Sequence, residues 1–226
     1  MGSARGNLVF ALRTRTIYEP MFETNINRLE FIMKKVLNVG GNSRKISLPI
    51  QYKDFDQVLL DIDPKESPDI VCDARELITF KADQFEAVYC SHNLEHFYRH
   101  DVQKVLAGFL HVLKTGGFAH IRVPDILEVM RTTIEKGLDI EDVLYHSPAG
   151  PIMALDVLYG YNEKIEKSGQ DYFAHKTGFS RDSLMKALSK SGFSRIYSNT
   201  GEYEIGALAF KGVPEPTLLD LFNIHV

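Results

Sequence analysis

Four features of this 226-residue chain could do chemistry, and each directly follows a short apolar run. They are the glycine turn at 38–43, the acid Asp61, the pair Asp73-Ala74 and the pair Ser91-His92. A glycine turn lets the backbone lie close to a ligand, and a carboxylate at a strand end can accept both hydroxyls of a ribose. A second carboxylate can accept the exocyclic amine of an adenine. Together these residues predict a site for adenosine without phosphates.

The glycine turn also separates two classes of nucleotide ligand. Its sequence, Asn38-Val39-Gly40-Gly41-Asn42-Ser43, has two adjacent glycines and lacks the G-x-G-x-x-G spacing. That spacing is the one with which a dinucleotide pyrophosphate is bound. An uncharged or cationic ligand is therefore favoured over NAD, and an NAD-dependent oxidoreductase is kept only as a minor alternative.

A second pattern, His92-Asn93-Leu94-Glu95-His96, matches the H-x-x-E-H spacing of some zinc proteases. If the segment is an α-helix, its two histidines share one face and could be metal ligands. The pattern follows a buried strand within a nucleotide-binding series, however, and no third ligand can be identified from the sequence. We therefore expect no metal here, and favour a capping and core role for His96.

These features need a scaffold of alternating strands and helices. Apolar runs at 36–39, 58–60, 70–72, 85–90 and 118–123 predict five strands of a sheet that is covered on both faces. Helices are predicted at 101–113, at 125–136 and from the N-cap Ser180 to Gly192, with further strands at 193–197 and 204–210. This alternation is typical of βα units around a parallel sheet, whose ligands bind at the carboxyl ends of the strands.

The segment 138–178 interrupts the alternation with tyrosines, histidines, glycines and prolines. We expect an irregular insertion that forms a lid or one wall of a substrate site. A purely structural excursion or a dimer contact is the alternative.

Composition excludes several classes of function. A formal net charge of −4 gives no global attraction for nucleic acid or anionic lipid. The apolar run at 8–12 is too short for a signal peptide or a membrane span, so a cytoplasmic protein is expected. Cys72 and Cys90 are predicted to be buried thiols in a reducing compartment. The length predicts a single domain over 1–226, and the apolar segment 218–222 either docks on that domain or forms a homodimer.

Five segments in order resemble the motifs of class I S-adenosylmethionine-dependent methyltransferases, and most closely those of small bacterial type-11-like members. They are VLNVGGNS at 36–43, LLDID at 59–63, PDIVCDA at 68–74, FEAVYCSHNLEH at 85–96 and LKTGGFAHIRVPD at 113–125. The resemblance implies an α/β, Rossmann-like fold with a seven-stranded, mostly parallel sheet, helices on both faces and an antiparallel last strand. It also implies S-adenosylmethionine as the cofactor and a cofactor-binding core at 35–124.

The resemblance assigns cofactor contacts residue by residue. The methionine moiety would lie beside Asn38, Gly40, Gly41 and Asn42. Asp61 would bind the ribose, Ile62 would pack on the adenine, and the polar edge of the adenine would bind to Asp73 and Ala74. The transferred methyl group would be bordered by Ser91 and His92. The sequence departs from the family in three places: Asn38 stands where an acid is usual, the further glycine usual near Asn42 is missing, and Glu86 replaces the common Asp.

The expected function is methyl transfer to a small molecule or glycan, with oxygen as the expected acceptor atom. A hydroxyl acceptor would gain from a positioned base, for which His92 is the first candidate and His175 the second, whereas an amine or carboxylate would need no strong base. Either histidine could instead be a structural one. A non-catalytic sensor or scaffold that binds the same cofactor is the alternative, and an open pocket beside the methyl group would distinguish the enzyme from it.

Overall fold

The computed structural model describes residues 33–41, 43–147 and 150–225. Strands are β1 (Lys34–Val39), β2 (Phe55–Asp61), β3 (Ile70–Val71), β4 (Phe85–Ser91), β5 (Leu113–Pro124), β6 (Val143–Ser147), β7 (Gly150–Met153), β8 (Arg195–Gly201) and β9 (Glu204–Phe210). Helices are α1 (Val102–Val112), α2 (Ile126–Glu135), α3 (Ala154–Tyr159), α4 (Asn162–Ser168), α5 (Arg181–Lys190) and α6 (Pro216–Leu221). The predicted site residue Asn42 and the apolar run at 8–12 lie outside the described residues.

Seven of these strands form one sheet in the order β3-β2-β1-β4-β5-β9-β8. The pairs β1–β2, β2–β3, β1–β4 and β4–β5 are parallel, whereas β9 is antiparallel to both β5 and β8. The predicted seven-stranded, mostly parallel sheet with an antiparallel last strand is therefore confirmed. Since β1 to β5 are parallel, the turns that follow them meet at one edge of the sheet.

Neighbouring residues of each central strand point to opposite faces, and each face has its own core. Leu37 and Val88, both fully buried, belong to the larger core, which includes residues of α1 and α5. Val36 and Ala87, also fully buried, belong to a smaller and more aromatic core. Burial on both faces explains why the strands are apolar without alternation.

The apolar C-terminal segment packs against the smaller core. Leu218, Leu219 and Phe222 contact it, and the Phe222 ring lies 5.3 Å from the ring of Phe118 in an edge-to-face arrangement. Of the two outcomes that the sequence left open for this segment, the structure shows docking on the chain's own domain.

The insertion is more regular than predicted. It contains the hairpin β6–β7, the short helices α3 and α4, and a 3-10 turn at Asp171–Phe173. The helices are only 6 and 7 residues long, so their helical period is hard to recognise in the sequence. The last predicted helix is confirmed with its N-cap, since the Ser180 side chain accepts a hydrogen bond from the Ser183 N–H.

Further details of the structure bear on individual sequence predictions. Cys90 is buried as predicted, but Cys72 is only partly buried. The strand predicted at 193–197 is β8 and runs from Arg195 to Gly201. Within the part of the chain that the structure describes, no helix is long and apolar enough to cross a membrane. The described residues lie in one compact unit, 33–226; a single domain over 1–226 stays a prediction.

Candidate functional site

The glycine turn after β1 is packed against two asparagine side chains. Gly40 has a φ of +71°, and a Cβ built on it would lie 2.1 Å from the Asn93 side-chain nitrogen. A Cβ on Gly41 would lie 2.2 Å from the side-chain nitrogen of Asn38, which is itself buried. Both positions therefore require glycine, Gly40 for its backbone conformation as well as for space.

The acid at the end of β2 organises the turn that follows. The Asp61 Oδ1 atom accepts a hydrogen bond of 2.8 Å from the Asp63 N–H, which holds the carboxylate at the sheet edge. Asp63 in turn caps the 3-10 turn Pro64–Glu66 and hydrogen-bonds the Tyr172 hydroxyl. Burial and this bond to Asp63 raise the pKa of Tyr172 to about 12. The insertion is therefore tied to the β2 turn.

The acid after β3 is held by an arginine. The Arg75 guanidinium donates to the Asp73 carboxylate at 2.6 Å and also reaches Asp101 at 3.2 Å. Burial raises the pKa of Asp73, but the hydrogen bonds from Arg75 outweigh burial and hold this pKa below its usual value. Since Arg75 already binds the carboxylate, an adenine amine would have to share Asp73 with Arg75. Binding of the adenine amine by Asp73 therefore stays a prediction.

Two adjoining cavities lie along this edge and share Gly40. The first, of about 260 Å³, brings together Gly40, Asp61, Ile62, Asp73 and Ala74. The second, of about 380 Å³, brings together Asn38, Gly40, Gly41 and Ser91. Eight of the predicted cofactor residues thus line two neighbouring cavities. Neither cavity is lined by His92 or His175.

His92 lies at the end of β4 in an ion-pair network with the start of β9. Its Nε2 atom is 2.8 Å from Glu204 Oε2, while Arg122 Nε donates to Glu204 Oε1 at 2.9 Å. Burial lowers the pKa of His92, but the hydrogen bond to Glu204 and the negative charge of Glu95 outweigh burial and raise the pKa to about 9. The imidazole is therefore protonated at neutral pH. A general-base role for His92 stays a prediction, and this charge state weighs against it.

Glu95 is a buried acid that faces histidines. It is 1% exposed, and its Oε1 atom lies 3.6 Å from His92 Nδ1 and 4.0 Å from His175 Nε2. Burial raises the pKa of Glu95, but its interactions with His92 and then with His96 and His175 outweigh burial and lower it. The acid is therefore a carboxylate at neutral pH.

His96 and His175 are oriented by backbone carbonyls of the insertion. His96 Nδ1 is 3.1 Å from the Ala174 oxygen, and His175 Nδ1 is 2.8 Å from the Val157 oxygen. The two rings meet edge to face, with their centroids 4.9 Å apart. His96 is only partly buried, so the capping and core role expected for it stays a prediction, as does the catalytic role of His175.

The α-helix considered for the H-x-x-E-H segment is absent. Leu94–His96 forms a single 3-10 turn, and His92 precedes it with a left-handed φ of +48°. His92 and His96 therefore do not stand one α-helical turn apart on a shared face. The left-handed residue bends the chain out of β4, a conformation that is strained for a side chain other than glycine.

Four residues that the sequence analysis left without a binding role belong to this site. They are Asn93 under Gly40, Glu95 between the histidines, Arg122 near the end of β5 and Glu204 at the start of β9. Arg122 and Glu204 are charged residues within otherwise apolar strands, and this pattern could have identified them as site residues. Glu95 belongs to the H-x-x-E-H pattern, which did mark it, whereas Asn93 gave no comparable signal because its partner Gly40 is distant in the sequence.

The residues at the first cavity fit an adenosyl cofactor. Asn93 Oδ1 is buried with no hydrogen-bond partner among the described residues, which leaves an acceptor at the cavity wall for a ligand N–H or O–H. The bare backbone of Gly40 and Gly41 allows a close approach beside it. Asp61 adds a carboxylate at the end of β2, as ribose binding requires.

Comparison with known proteins agrees with this geometry. The sequence model of a methyltransferase domain family matches residues 44–121, which run from the segment before β2 into β5. This part of the chain is similar to methyltransferase domains of the type-11 kind. The family resemblance, the methyltransferase enzyme class and the S-adenosylmethionine cofactor that the sequence predicted are thereby confirmed. No curated protein matches the chain.

Solved structures show the same fold at low sequence identity. An O-methyltransferase family protein from Burkholderia thailandensis is 9% identical, with a TM-score of 0.51 over 80% of this chain and 52% of that one. A protein from Pyrococcus horikoshii OT3 is 15% identical, with a TM-score of 0.51 over 80% of this chain and 84% of that one. A methyltransferase from Archaeoglobus fulgidus is 13% identical, covers 78% and 85% of the two chains and has a TM-score of 0.49. At these identities the likeness concerns the fold.

Proposed function

We propose that this methyltransferase transfers the methyl group of S-adenosylmethionine to a hydroxyl oxygen of a small molecule or glycan. The observation that carries the proposal is the group of ionisable side chains beside the end of β4, where the predicted methyl-bordering residues Ser91 and His92 lie. His92 lies 2.8 Å from Glu204 and 3.6 Å from Glu95, and Glu95 lies 4.0 Å from His175. A hydroxyl must lose its proton when it is methylated, so it is the acceptor that gains most from such a group.

The tautomer of His175 suits it to take that proton. Its Nδ1–H is donated to the Val157 carbonyl, so Nε2, which lies 4.0 Å from the Glu95 carboxylate, is the ring nitrogen left to accept a proton. Glu95 can then stabilise the imidazolium that forms. When bound, S-adenosylmethionine supplies a methyl group on a sulfonium, whose carbon–sulfur bond breaks as the carbon–oxygen bond forms. The chain's own task is orientation, which can contribute about 7–11 kcal/mol to such a reaction.

The second cavity favours an enzyme over the sensor or scaffold alternative. It lies beside Ser91 and shares Gly40 with the first cavity, so the described residues leave space next to the expected position of the methyl group. Arg122 and Tyr89 also line this space. A protein that only bound the cofactor would not need it.

The partner proposed is accordingly a small molecule or glycan, and not a nucleic acid or a membrane. A formal net charge of −4 supports this choice, because it offers no global attraction for polyanions. A cytoplasmic location also remains an expectation from the sequence. The apolar segment that suggested a homodimer packs on the chain's own core, so a dimer is not part of the proposal.

The test is a transfer assay with S-adenosylmethionine labelled in its methyl group and a panel of sugars, polyols, phenols and amines. We expect label in hydroxyl-bearing acceptors, and a roughly 10²–10⁴-fold lower kcat in His175→Gln with unchanged cofactor affinity. His111→Gln is the matched control, since His111 also contacts a backbone carbonyl through a ring nitrogen, at 2.7 Å. Label in amines alone, or equal rates in both variants, would contradict the proposal.

A further inference from the structure

The buried carboxylate of Glu95 has charged and polar neighbours but no hydrogen bond. Neither of its oxygens has a hydrogen-bond partner among the described residues, although the side chain is 1% exposed. A buried carboxylate without such bonds is costly unless a cation or a metal ion compensates it. His92 Nδ1, at 3.6 Å, is the nearest recorded charged group and does not approach to bonding distance.

Two histidine side chains converge on this carboxylate. One ligand atom from each of Glu95, His96 and His175 lies within 4.8 Å of the other two. Two of the residues come from the turn after β4 and the third from the end of the insertion. The Lys176 and Thr177 N–H groups both donate to the Glu95 carbonyl, at 2.8 and 3.1 Å, and fix the two segments against each other.

The orientation of both imidazoles matches that of metal ligands. A histidine that binds a metal usually donates its other ring N–H to a carboxylate, carbonyl or water. Nδ1 of His96 and Nδ1 of His175 both contact backbone carbonyls, at 3.1 and 2.8 Å, so Nε2 is the ring nitrogen that each side chain can offer to a metal ion. Glu95 is buried between them and supplies the negative charge.

We propose that Glu95, His96 and His175 bind one divalent first-row transition-metal ion of the zinc class. Two imidazoles and one carboxylate, without a thiolate, form a donor set that zinc and ferrous ions take. Bonds of about 2.1 Å in a tetrahedral site bring ligand atoms to roughly 3.4 Å from each other, so atoms that lie within 4.8 Å of one another approach by up to about 1.4 Å when the ion binds.

Three protein ligands leave a coordination position for a further oxygen ligand. His96 also lines the first cavity, so an ion held here lies at the wall of the proposed active site. The open position then takes water or an oxygen of the ligand in that cavity, a role that rests on the proposed function. His175 Nε2 would in that case be a metal ligand and not a free base.

Metal binding is measured without cofactor or acceptor, so its outcome is independent of the transfer assay. The full chain, stripped with a chelator, is titrated with Zn²⁺ by calorimetry, and the bound metal is counted by elemental analysis after dialysis. Co²⁺ is the second probe, since its visible absorption reports the coordination geometry. The variants are Glu95→Gln, His175→Gln and the control His111→Gln, which lies outside the metal-ligand cluster found among the described residues.

We expect one Zn²⁺ per chain, binding at least ~10-fold weaker in Glu95→Gln and in His175→Gln, and unchanged binding in His111→Gln. Thermal unfolding of each variant shows whether it is folded, and a variant that is not is replaced by His96→Gln. No binding by the wild type, or binding that the cluster variants leave unchanged, overturns the inference. S-Adenosylmethionine binding, titrated separately, would still stand in either case, and Glu95 would then serve only as the ion-pair partner of His92.

Discussion

The two sides of the sheet's carboxyl edge hold their polar residues in different ways. After β2 and β3, each acid is fixed by its own turn: Asp61 accepts from the Asp63 N–H, and Asp73 from the Arg75 N–H. After β4, the partners come from far along the chain, since His92 pairs with Glu204 across 112 positions. The first side is therefore specified by local sequence. The second exists only once the sheet and the insertion have assembled.

The largest effect is expected from a substitution in the turn after β1, on the locally specified side of the edge. Gly40→Ala places a Cβ 2.1 Å from the Asn93 side chain at a φ of +71°, so the turn must move. We expect a stability loss of about 1–3 kcal/mol from the backbone conformation and a further loss from the displaced Asn93. S-Adenosylmethionine affinity should fall by at least ~10-fold, as measured by calorimetry.

Gly116→Ala is the matched control for this change. Gly116 also has a positive φ, +80°, but nothing lies within 4 Å of a Cβ built there. The variant should show only the conformational cost of about 1 kcal/mol and unchanged cofactor affinity. Equal losses of affinity in the two variants would show that Asn93 and the shape of the turn do not matter for binding.

A smaller effect concerns the side assembled from distant segments. His120 on β5 is packed among Tyr52, Tyr89, Arg122 and Glu204, with its Nδ1 atom 3.1 Å from the Tyr52 hydroxyl. Burial, followed by the charge of Arg122, lowers its pKa to about 4. An unfolded imidazole binds a proton near pH 6.5, so the unfolded state holds more protons between these two values. Stability should therefore fall as the pH drops from 6.5 to 4, by at most about 3 kcal/mol from this residue.

The measurement is urea unfolding at pH 7 and pH 4.5 for the wild type and His120→Gln. The variant should lose less stability on acidification than the wild type, because glutamine does not titrate. An equal drop in both proteins would mean that His120 is not held neutral, and that the network around Arg122 is looser than the structure shows.

The smallest effect tests the link between the two sides. Tyr172 of the insertion hydrogen-bonds Asp63 in the turn after β2. Tyr172→Phe should cost about 1 kcal/mol in urea unfolding, the usual net contribution of one hydrogen bond. Tyr161→Phe removes a comparable bond to Glu163 from an exposed surface and should cost less than about 0.5 kcal/mol. If the two costs are equal, the insertion is not anchored through Tyr172.

The same contrast explains how much of the molecule could be predicted from its sequence. The strands and the residues after β1, β2 and β3 were predictable, because continuous apolar runs, glycines and acids are local signals. Asp61, Ile62, Asp73 and Ala74 line one cavity as the sequence analysis required. The turn after β4 could be considered as a helix, because nothing local showed that His92 would take a left-handed conformation.

The group of charges around Glu95 and Glu204 could not be predicted from the sequence alone. It depends on the pairing of β9 with β5, which places Glu204 opposite Pro124, and on the docking of the insertion against Glu95. The helices α3 and α4 are too short for their period to be recognised. The tertiary structure therefore determines the proton chemistry of the site, while the local sequence determines the cofactor edge.

The central claim is that the edge formed by the turns after β1, β2 and β3 binds S-adenosylmethionine through Asp61. The direct test is calorimetric titration of the wild type, Asp61→Ala and Asp56→Ala, where Asp56 is an exposed acid on the same strand. We predict micromolar binding by the wild type, unchanged in Asp56→Ala. In Asp61→Ala it should be about 10–100-fold weaker, since hydrogen bonds to a charged group contribute about 1.5–3 kcal/mol. No binding by the wild type, or equal affinity in the two variants, would contradict the claim.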